Sequence, residues 1–154
     1  VLALTIQLIM KKNLSIIKIN LLQNINNQKS SNLNLYFGKG RLNKKLGKYV
    51  KRDWYEVQLT IPKKISGKTV YPKGKFTVYT LDGYKINMIT SGDYHKNFSS
   101  EKDLKIFGKW IKGKLEKSKS LKKGKLITEK VLQNYGNNNL ILIKISNKNY
   151  IMHF

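Results

Sequence analysis

Two polar segments of the chain carry the side chains with the clearest capacity for chemistry. The first contains Asn32, Asn34, Tyr36, Lys39 and Arg41. The second contains Ser91, Asp93, Tyr94, His95, Lys96 and Asn97. Each mixes cations, which neutralise phosphate, with amide, hydroxyl or carboxylate groups, which read the edges of bases. A solvated basic loop is the alternative for either segment alone, but two of them flanking one predicted sheet favour nucleic-acid binding.

The first segment belongs to a basic stretch, and the whole chain shares its bias. Between residues 38 and 52 the chain has no acidic residue, and its cations are Lys39, Arg41, Lys44, Lys45, Lys48, Lys51 and Arg52. Overall, 31 Lys and Arg residues stand against 8 Asp and Glu residues, a formal charge of +23. Such a field attracts polyanions: nucleic acid, an anionic membrane or an acidic protein. An AT-rich coding sequence, which also enriches Asn and Lys, is the alternative explanation.

A catalytic or metal-binding function has little support in the sequence. The histidines are His95 and His153, and Asn97 stands where the H-x-K signature of phospholipase D nucleases needs lysine. The carboxylates considered for a metal site are too few: Asp82, Asp93, Glu101 and Asp103. The chain has no cysteine, which excludes disulfides and thiolate metal sites and permits an intracellular setting. We therefore predict no catalytic residue, no metal and no cofactor.

One unit is predicted to position the second polar segment. Phe76–Thr80 and Tyr84–Ile89 each alternate apolar and polar residues, and Asp82-Gly83 between them forms a hairpin turn. Ser100 and Asp103, three residues apart, form a capping-box signal that gives Asp103 a role in capping a helix. The apolar residues of that helix share one face, at Leu104, Phe107, Ile111 and Leu115. Its lysines form either further phosphate contacts or a solvated outer face: Lys105, Lys109, Lys112 and Lys114.

The N-terminal half is predicted to hold two strands separated by a long connection. The strands are Leu14–Leu22 and Trp54–Ile61, the latter stopped by Pro62. The connection, residues 23–53, shows little periodicity and is expected to be irregular, which makes it functional or disordered. Residues 2–9 form either a short strand or an extension toward a neighbouring domain. They are too few to span a bilayer, which needs about 20 apolar residues.

The C-terminal part is predicted to add a short helix and two strands. Thr128 caps the helix, Val131, Leu132 and Tyr135 face inward, and Gly136 ends it. The strands are Leu140–Ile145 and Tyr150–Phe154. Six or seven strands with two short helices predict a mainly β fold with α+β character, an open or partly closed barrel. We assign residues 15–154 to this domain and residues 1–14 to an N-terminal extension or the remnant of a preceding domain.

A set of spaced motifs covers most of this domain. They are Ser31-x-Leu33-Asn34 followed by Arg41, Ile61-Pro62 at the end of a strand, Ser91-Gly-Asp-Tyr-His-Lys-Asn97, Leu104-x-x-x-Gly108-Lys-Trp-Ile-Lys-Gly-Lys-Leu115, Gly124-x-x-Ile127-Thr128-x-x-x-Leu132-x-x-Tyr135-Gly136 and Tyr150-x-Met-x-Phe154. In this order and spacing they resemble the C-terminal DNA-binding domain of NgoFVII-type restriction endonucleases. In those enzymes a phospholipase D-like nuclease is joined to a pseudobarrel similar to the plant B3 domain.

The resemblance implies a seven-stranded open β-pseudobarrel with two short helices and two arms that enter the major groove of double-stranded DNA. The first arm falls at Ser31–Arg52 and the second at Thr90–Asn97. The expected DNA-binding residues are Ser31, Asn32, Asn34, Tyr36, Lys39, Arg41, Lys44, Lys45, Arg52, Ser91, Asp93, Tyr94, His95, Lys96 and Asn97. The expected partners are double-stranded DNA and a phospholipase D-like nuclease domain or subunit, in the bacterial cytoplasm and with no membrane. The sequence lacks the nuclease signature, so we do not expect this chain to cut DNA alone.

Two other functions remain as alternatives. A basic RNA-binding or ribosome-associated protein would explain the charge without sequence reading. A small nuclease would need an active site that only the folded chain assembles. Membrane-surface binding ranks last, because neither predicted helix pairs a long basic face with a broad apolar one.

Overall fold

The computed structural model describes residues 15–25 and 27–154. The strands are β1 (Ile16–Asn20), β2 (Leu22–Ile25), β3 (Gln28–Ser31), β4 (Gly40–Asn43), β5 (Lys48–Lys51), β6 (Leu59–Thr60), β7 (Lys75–Thr80), β8 (Lys85–Ser91), β9 (Asn97–Ser100), β10 (Asn139–Ser146) and β11 (Asn149–His153). The helices are α1 (Lys63–Ser66), α2 (Leu104–Lys117) and α3 (Glu129–Tyr135), with 3-10 turns at Asn32–Asn34 and Asp93–His95. The predictions for residues 1–14 and for the strand at residues 2–9 lie outside the described ranges.

A seven-stranded mixed sheet forms the body of the domain, in the order β1-β10-β11-β7-β8-β9-β6. Its neighbours are antiparallel except β11 and β7, which run parallel. Two small hairpins, β2–β3 and β4–β5, stand outside it. The predicted fold class is confirmed: a mainly β, seven-stranded half-barrel with α+β character.

The core follows the alternation of the strands. In β7 and β8 every second residue is buried, including Val78 and Met88 at 0% exposure. One face of α2 closes over the sheet with Phe107, Ile111 and Leu115. Strands with period two and a helix with an apolar stripe therefore bury one shared core, as their sequence patterns predict.

The caps of the two longer helices are partly as predicted. Thr128 Oγ1 accepts a hydrogen bond from Val131 N at 3.3 Å, and Gly136 ends α3 with a left-handed φ of 91°. For α2 the cap is Asp103, whose carboxylate accepts from Lys105 N at 2.9 Å. The predicted capping pair is therefore confirmed in part: Asp103 is the cap. Ser100 lies in β9, but its hydroxyl accepts from the first-turn Phe107 N at 3.0 Å and donates to Asp103 O.

The long connection at residues 23–53 is not irregular, so that prediction is wrong. It contains β2, β3, a 3-10 turn, β4 and β5. Asn43 Oδ1 accepts from Lys45 N and Leu46 N, at 3.0 and 3.2 Å, and Gly47 has a φ of 62°. Asn43 and Gly47 form the turn of the β4–β5 hairpin because short polar and glycine residues adopt such backbones at low cost.

Two predicted strands are shorter than expected. Strand Leu14–Leu22 breaks at Leu21, where Asn20 Oδ1 accepts from Leu22 N at 2.9 Å. Strand Trp54–Ile61 reduces to β6, because Asp53 Oδ1 accepts from Tyr55 N at 2.8 Å and turns the chain. An Asx turn competes with strand formation in this way.

Gly108 sets the closest approach between α2 and this turn. A Cβ at position 108 would lie 1.6 Å from the carbonyl oxygen of Tyr55 and 3.1 Å from a methyl of Val57. Gly113 lies in the same helix, and a Cβ at position 113 would meet no heavy atom within 4 Å. Both glycines lie inside α2, but only Gly108 is packed so closely that a side chain would not fit.

We predict that Gly108→Ala destabilises the domain by about 3 kcal/mol or more, because the backbone of Tyr55 has to move out of a packed core. Gly113→Ala is the matched control. It should be neutral or stabilising by up to about 1 kcal/mol, since alanine favours helix more than glycine does. Urea unfolding followed by circular dichroism measures both. Equal free energies of unfolding for the two variants would contradict this packing.

Candidate nucleic-acid interface

The start of the first arm faces inward. Ser31, Asn32 and Leu33 are buried, and Ser31 Oγ accepts from Leu33 N at 3.2 Å. The backbone N–H of Asn32 donates to Leu21 O at 3.1 Å. Ser31 and Asn32 are thus packed at the root of the arm and cannot reach a ligand in this conformation.

Asn34 ties the root of the first arm to a distant segment. Its Nδ2 donates to Ile127 O at 2.8 Å, and its Oδ1 accepts from Ile127 N at 3.0 Å. The amide therefore mimics a backbone pairing across 93 positions of sequence. Both polar atoms of the Asn34 side chain are hydrogen-bonded to Ile127, so this residue acts as a clamp between the two segments.

A cluster of cations around Glu56 forms the foot of the β4–β5 hairpin. The guanidinium of Arg52 lies 3.8 Å from the ring centroid of Tyr36 and 3.3 Å from Glu56 Oε2. Arg41 Nη1 lies 3.9 Å from Glu56 Oε1. The Arg52 side chain is 18% exposed and that of Arg41 is 65% exposed. Arg52 and Tyr36 therefore brace the hairpin, whereas Arg41 remains open to a ligand.

The β4–β5 hairpin, here called the ribbon (residues 40–51), projects into solvent. All of its residues are exposed except Asn43, which is half-buried. Its cations are Arg41, Lys44, Lys45, Lys48 and Lys51, and it has no acidic residue. Lys39 precedes it and is also exposed. The ribbon carries a dense positive charge on a narrow two-stranded element.

The second arm is held in a strained conformation. Tyr94 and His95 have positive φ angles of 44° and 56°. The carbonyl of His95 accepts from the Tyr71 hydroxyl at 2.7 Å, and His95 Nδ1 lies 3.5 Å from Thr90 Oγ1. Non-glycine residues in this region cost about 1–3 kcal/mol each and cluster at functional sites. The surrounding contacts fix an otherwise unfavourable turn.

The strained turn exposes an aromatic ring between cations. Tyr94 is 46% exposed, and the Nζ atoms of Lys63 and Lys96 each lie 6.0 Å from its ring centroid. Ser91 and Asp93 are exposed beside it, and Asn97 is half-buried against Gly92. An aromatic face flanked by cations and short polar groups can contact both phosphates and bases.

Both arms begin beside the same edge strand. Gln23, which pairs with Ser30 directly before the first arm, donates from Nε2 to Thr60 O at 3.4 Å. On the other side, Ile61 N donates to Lys96 O at 2.7 Å, and β6 pairs with β9. The structure thus brings the roots of the two predicted arms to one strand, although 59 positions separate Ser31 from Thr90.

The acidic residues are mostly engaged away from the arms. Glu101 Oε1 lies 3.0 Å from Lys75 Nζ, and Glu129 Oε1 lies 3.2 Å from Lys29 Nζ. Asp82 accepts from Trp110 Nε1 at 3.0 Å. Within the arms themselves, Asp93 is the one carboxylate. The positive charge of the arms is therefore barely offset.

One buried lysine, Lys112, lies beside Trp54, just after the end of the first arm. Lys112 is 2% exposed, its Nζ donates to the carbonyl of Trp54, and it lies 4.2 Å from the Trp54 ring centroid. Burial lowers the pKa of Lys112 to about 8, against the partial effect of Asp53 and Glu116. Lys112 belongs to α2 and packs against the turn at Trp54, so it lies neither on a phosphate-binding face nor on a solvated one.

The described part of the chain contains no group of three or more His, Asp or Glu side chains that could hold a metal ion. None of the helices described is both long and apolar enough to cross a membrane.

We predict that Asn34→Ala lowers the free energy of unfolding by about 2 kcal/mol, because it leaves the N–H and C=O of Ile127 without partners. Asn87→Ala, at an exposed position of β8, is the control and should stay within about 0.5 kcal/mol of the wild type. Thermal and urea unfolding measure both. If the two variants were equally stable, Asn34 would not be a clamp.

Comparison with known proteins gives one family. The family model of the NgoFVII C-terminal B3-like DNA-binding domain matches residues 9–146. No curated protein matches the sequence.

Proposed function

The chain belongs to the NgoFVII C-terminal B3-like DNA-binding domain family, and from this premise we propose that it reads a short sequence of double-stranded DNA with its two arms. In this proposal it is the recognition part of a type II restriction endonuclease in the bacterial cytoplasm. A phospholipase D-like nuclease domain or subunit is the partner that cuts. The chain itself holds the target in place.

The observation that carries the proposal is the shared root of the arms at β6. Gln23, which pairs with Ser30 directly before the first arm, bonds to Thr60 of this strand, and Lys96 of the second arm bonds to Ile61. A duplex lying against both arms would meet positive charge at two separated points. Two contacts of this kind fix the register of a protein on DNA, which base-reading side chains require.

The exposed and half-buried members of the predicted set at the arm surfaces are assigned by their chemistry. We assign phosphate contact to Lys39, Lys44, Lys45 and Lys96, which are single charges on flexible stems. Base contact is assigned to Arg41 and Asn97, whose planar groups can form paired hydrogen bonds with a base edge. Ser91, Asp93, Tyr94 and the ring of His95 complete the second contact surface. Ser31, Asn32, Asn34, Tyr36 and Arg52 support the first arm from within.

We predict that the purified chain binds duplex DNA with a steep dependence on salt. If six or more phosphates are neutralised, the slope of log affinity against log salt concentration should be about −5 or beyond. Arg41→Ala and Asn97→Ala should each weaken binding to a duplex selected from a random library by roughly tenfold to a hundredfold. Binding to random duplex should fall less. Fluorescence anisotropy measures all of these affinities.

Lys85→Ala is the control for loss of charge, because Lys85 is exposed at the end of β8 opposite the second arm. Its effect should be smaller than about threefold. Equal losses on selected and random duplex would make Arg41 and Asn97 phosphate contacts. Tighter binding to RNA than to duplex DNA would overturn the proposal in favour of an RNA-binding protein.

A further inference from the structure

The outer face of the ribbon carries an apolar pair that the fold leaves exposed. Leu42 and Tyr49 face each other across β4 and β5, and they are 52% and 75% exposed. The next pair, Arg41 and Val50, lies on the opposite face, where Arg41 approaches Glu56. The ribbon therefore turns a leucine and a tyrosine toward solvent.

Most apolar residues of the sheet and of α2 are buried, whereas those of the ribbon are exposed. An isolated two-stranded hairpin is at best marginally stable in water. Contiguous exposed apolar side chains are a common feature of binding surfaces. The Leu42–Tyr49 pair is therefore placed for a contact outside the domain.

The charge around this pair selects the chemistry of the ligand. Lys51 lies on the same face as the pair, Lys44, Lys45 and Lys48 lie in the same hairpin, and no carboxylate lies in the ribbon. The ligand must combine dense negative charge with a small apolar group. A membrane surface would need a broader apolar face than this one. Duplex DNA fits, because its major groove admits a two-stranded ribbon and exposes one apolar group, the C5-methyl of thymine.

We propose that Leu42 and Tyr49 contact the C5-methyl group of a thymine in the major groove. The recognised sequence then contains a thymine at the position that faces the ribbon. Removing the methyl group removes a buried apolar contact and leaves every hydrogen-bonding group of the base in place. This inference rests on the proposed function, since it names one feature of the sequence that the arms read.

The test uses the full chain and a duplex selected from a random library with the wild-type protein. Each thymine of that duplex is replaced in turn by deoxyuridine, which lacks only the methyl group. The wild type should lose about fourfold in affinity at one position or two adjacent ones, the effect of one methyl contact. In the double variant Leu42→Ala, Tyr49→Ser the thymine and uracil duplexes should bind equally.

A second double variant, Ile106→Ala with Tyr84→Ser, is the matched control. Ile106 and Tyr84 are 48% and 60% exposed and lie outside both arms. This variant should keep the wild-type preference for thymine. Circular dichroism of all three proteins checks that they are folded.

The outcomes separate the two proposals. Equal affinity of the wild type for thymine and uracil at every position would overturn the methyl contact while DNA binding stood. Preference for thymine retained in the Leu42, Tyr49 variant would overturn the assignment to these residues. Failure to select or bind any duplex would overturn the proposed function itself.

Discussion

The short strand β6 is the constraint on which the rest of the interface depends. Leu59 and Ile61 are completely buried, and between them Thr60 pairs with Asn97 of β9. The carbonyl of Thr60 accepts a hydrogen bond from Gln23, in the hairpin that leads into the first arm, and Ile61 N–H donates to Lys96 of the second arm. Because the core fixes these two apolar side chains, it also fixes where each arm leaves the domain. The arms themselves need no large core of their own.

The carboxylates near the arms form local contacts close to the body of the domain and leave the exposed parts of the arms positively charged. The carboxylates of Asp53 and Asp103 hold a turn and a helix cap, and Glu56 draws Arg52 into the foot of the ribbon. These acids stabilise local structure without neutralising the tip of the ribbon or Lys96. A chain with a formal charge of +23 repels itself, and such pairing near the body reduces that repulsion where the fold has to be compact.

Local patterns predicted the elements whose structure is decided locally. The hairpin around Asp82-Gly83, the apolar face of α2 and the cap at Thr128 follow from spacing alone. Other features depend on distant residues. Asn34 resembles an exposed loop asparagine in sequence, and its clamp becomes visible only with Ile127 beside it.

The two corrected strand predictions have the same local cause, an Asx turn. One at Asn20 breaks the first strand, and one at Asp53 delays the second strand to Leu59. The ribbon also had a local signal, since Asn43 and Gly47 mark a hairpin turn. The proximity of the two basic arms is a tertiary feature, because β6 joins segments that are distant in sequence. The sequence alone could not show it.

Nitrogen-15 NMR titration of the full chain with a selected duplex tests most directly whether the end of the domain that carries both arms faces the DNA. We expect the largest amide shifts at residues 39–51 and 91–97, with small shifts at residues 81–85 and along the outer face of α2. Largest shifts around the Asp82 turn and α2, with the ribbon unchanged, would contradict this orientation.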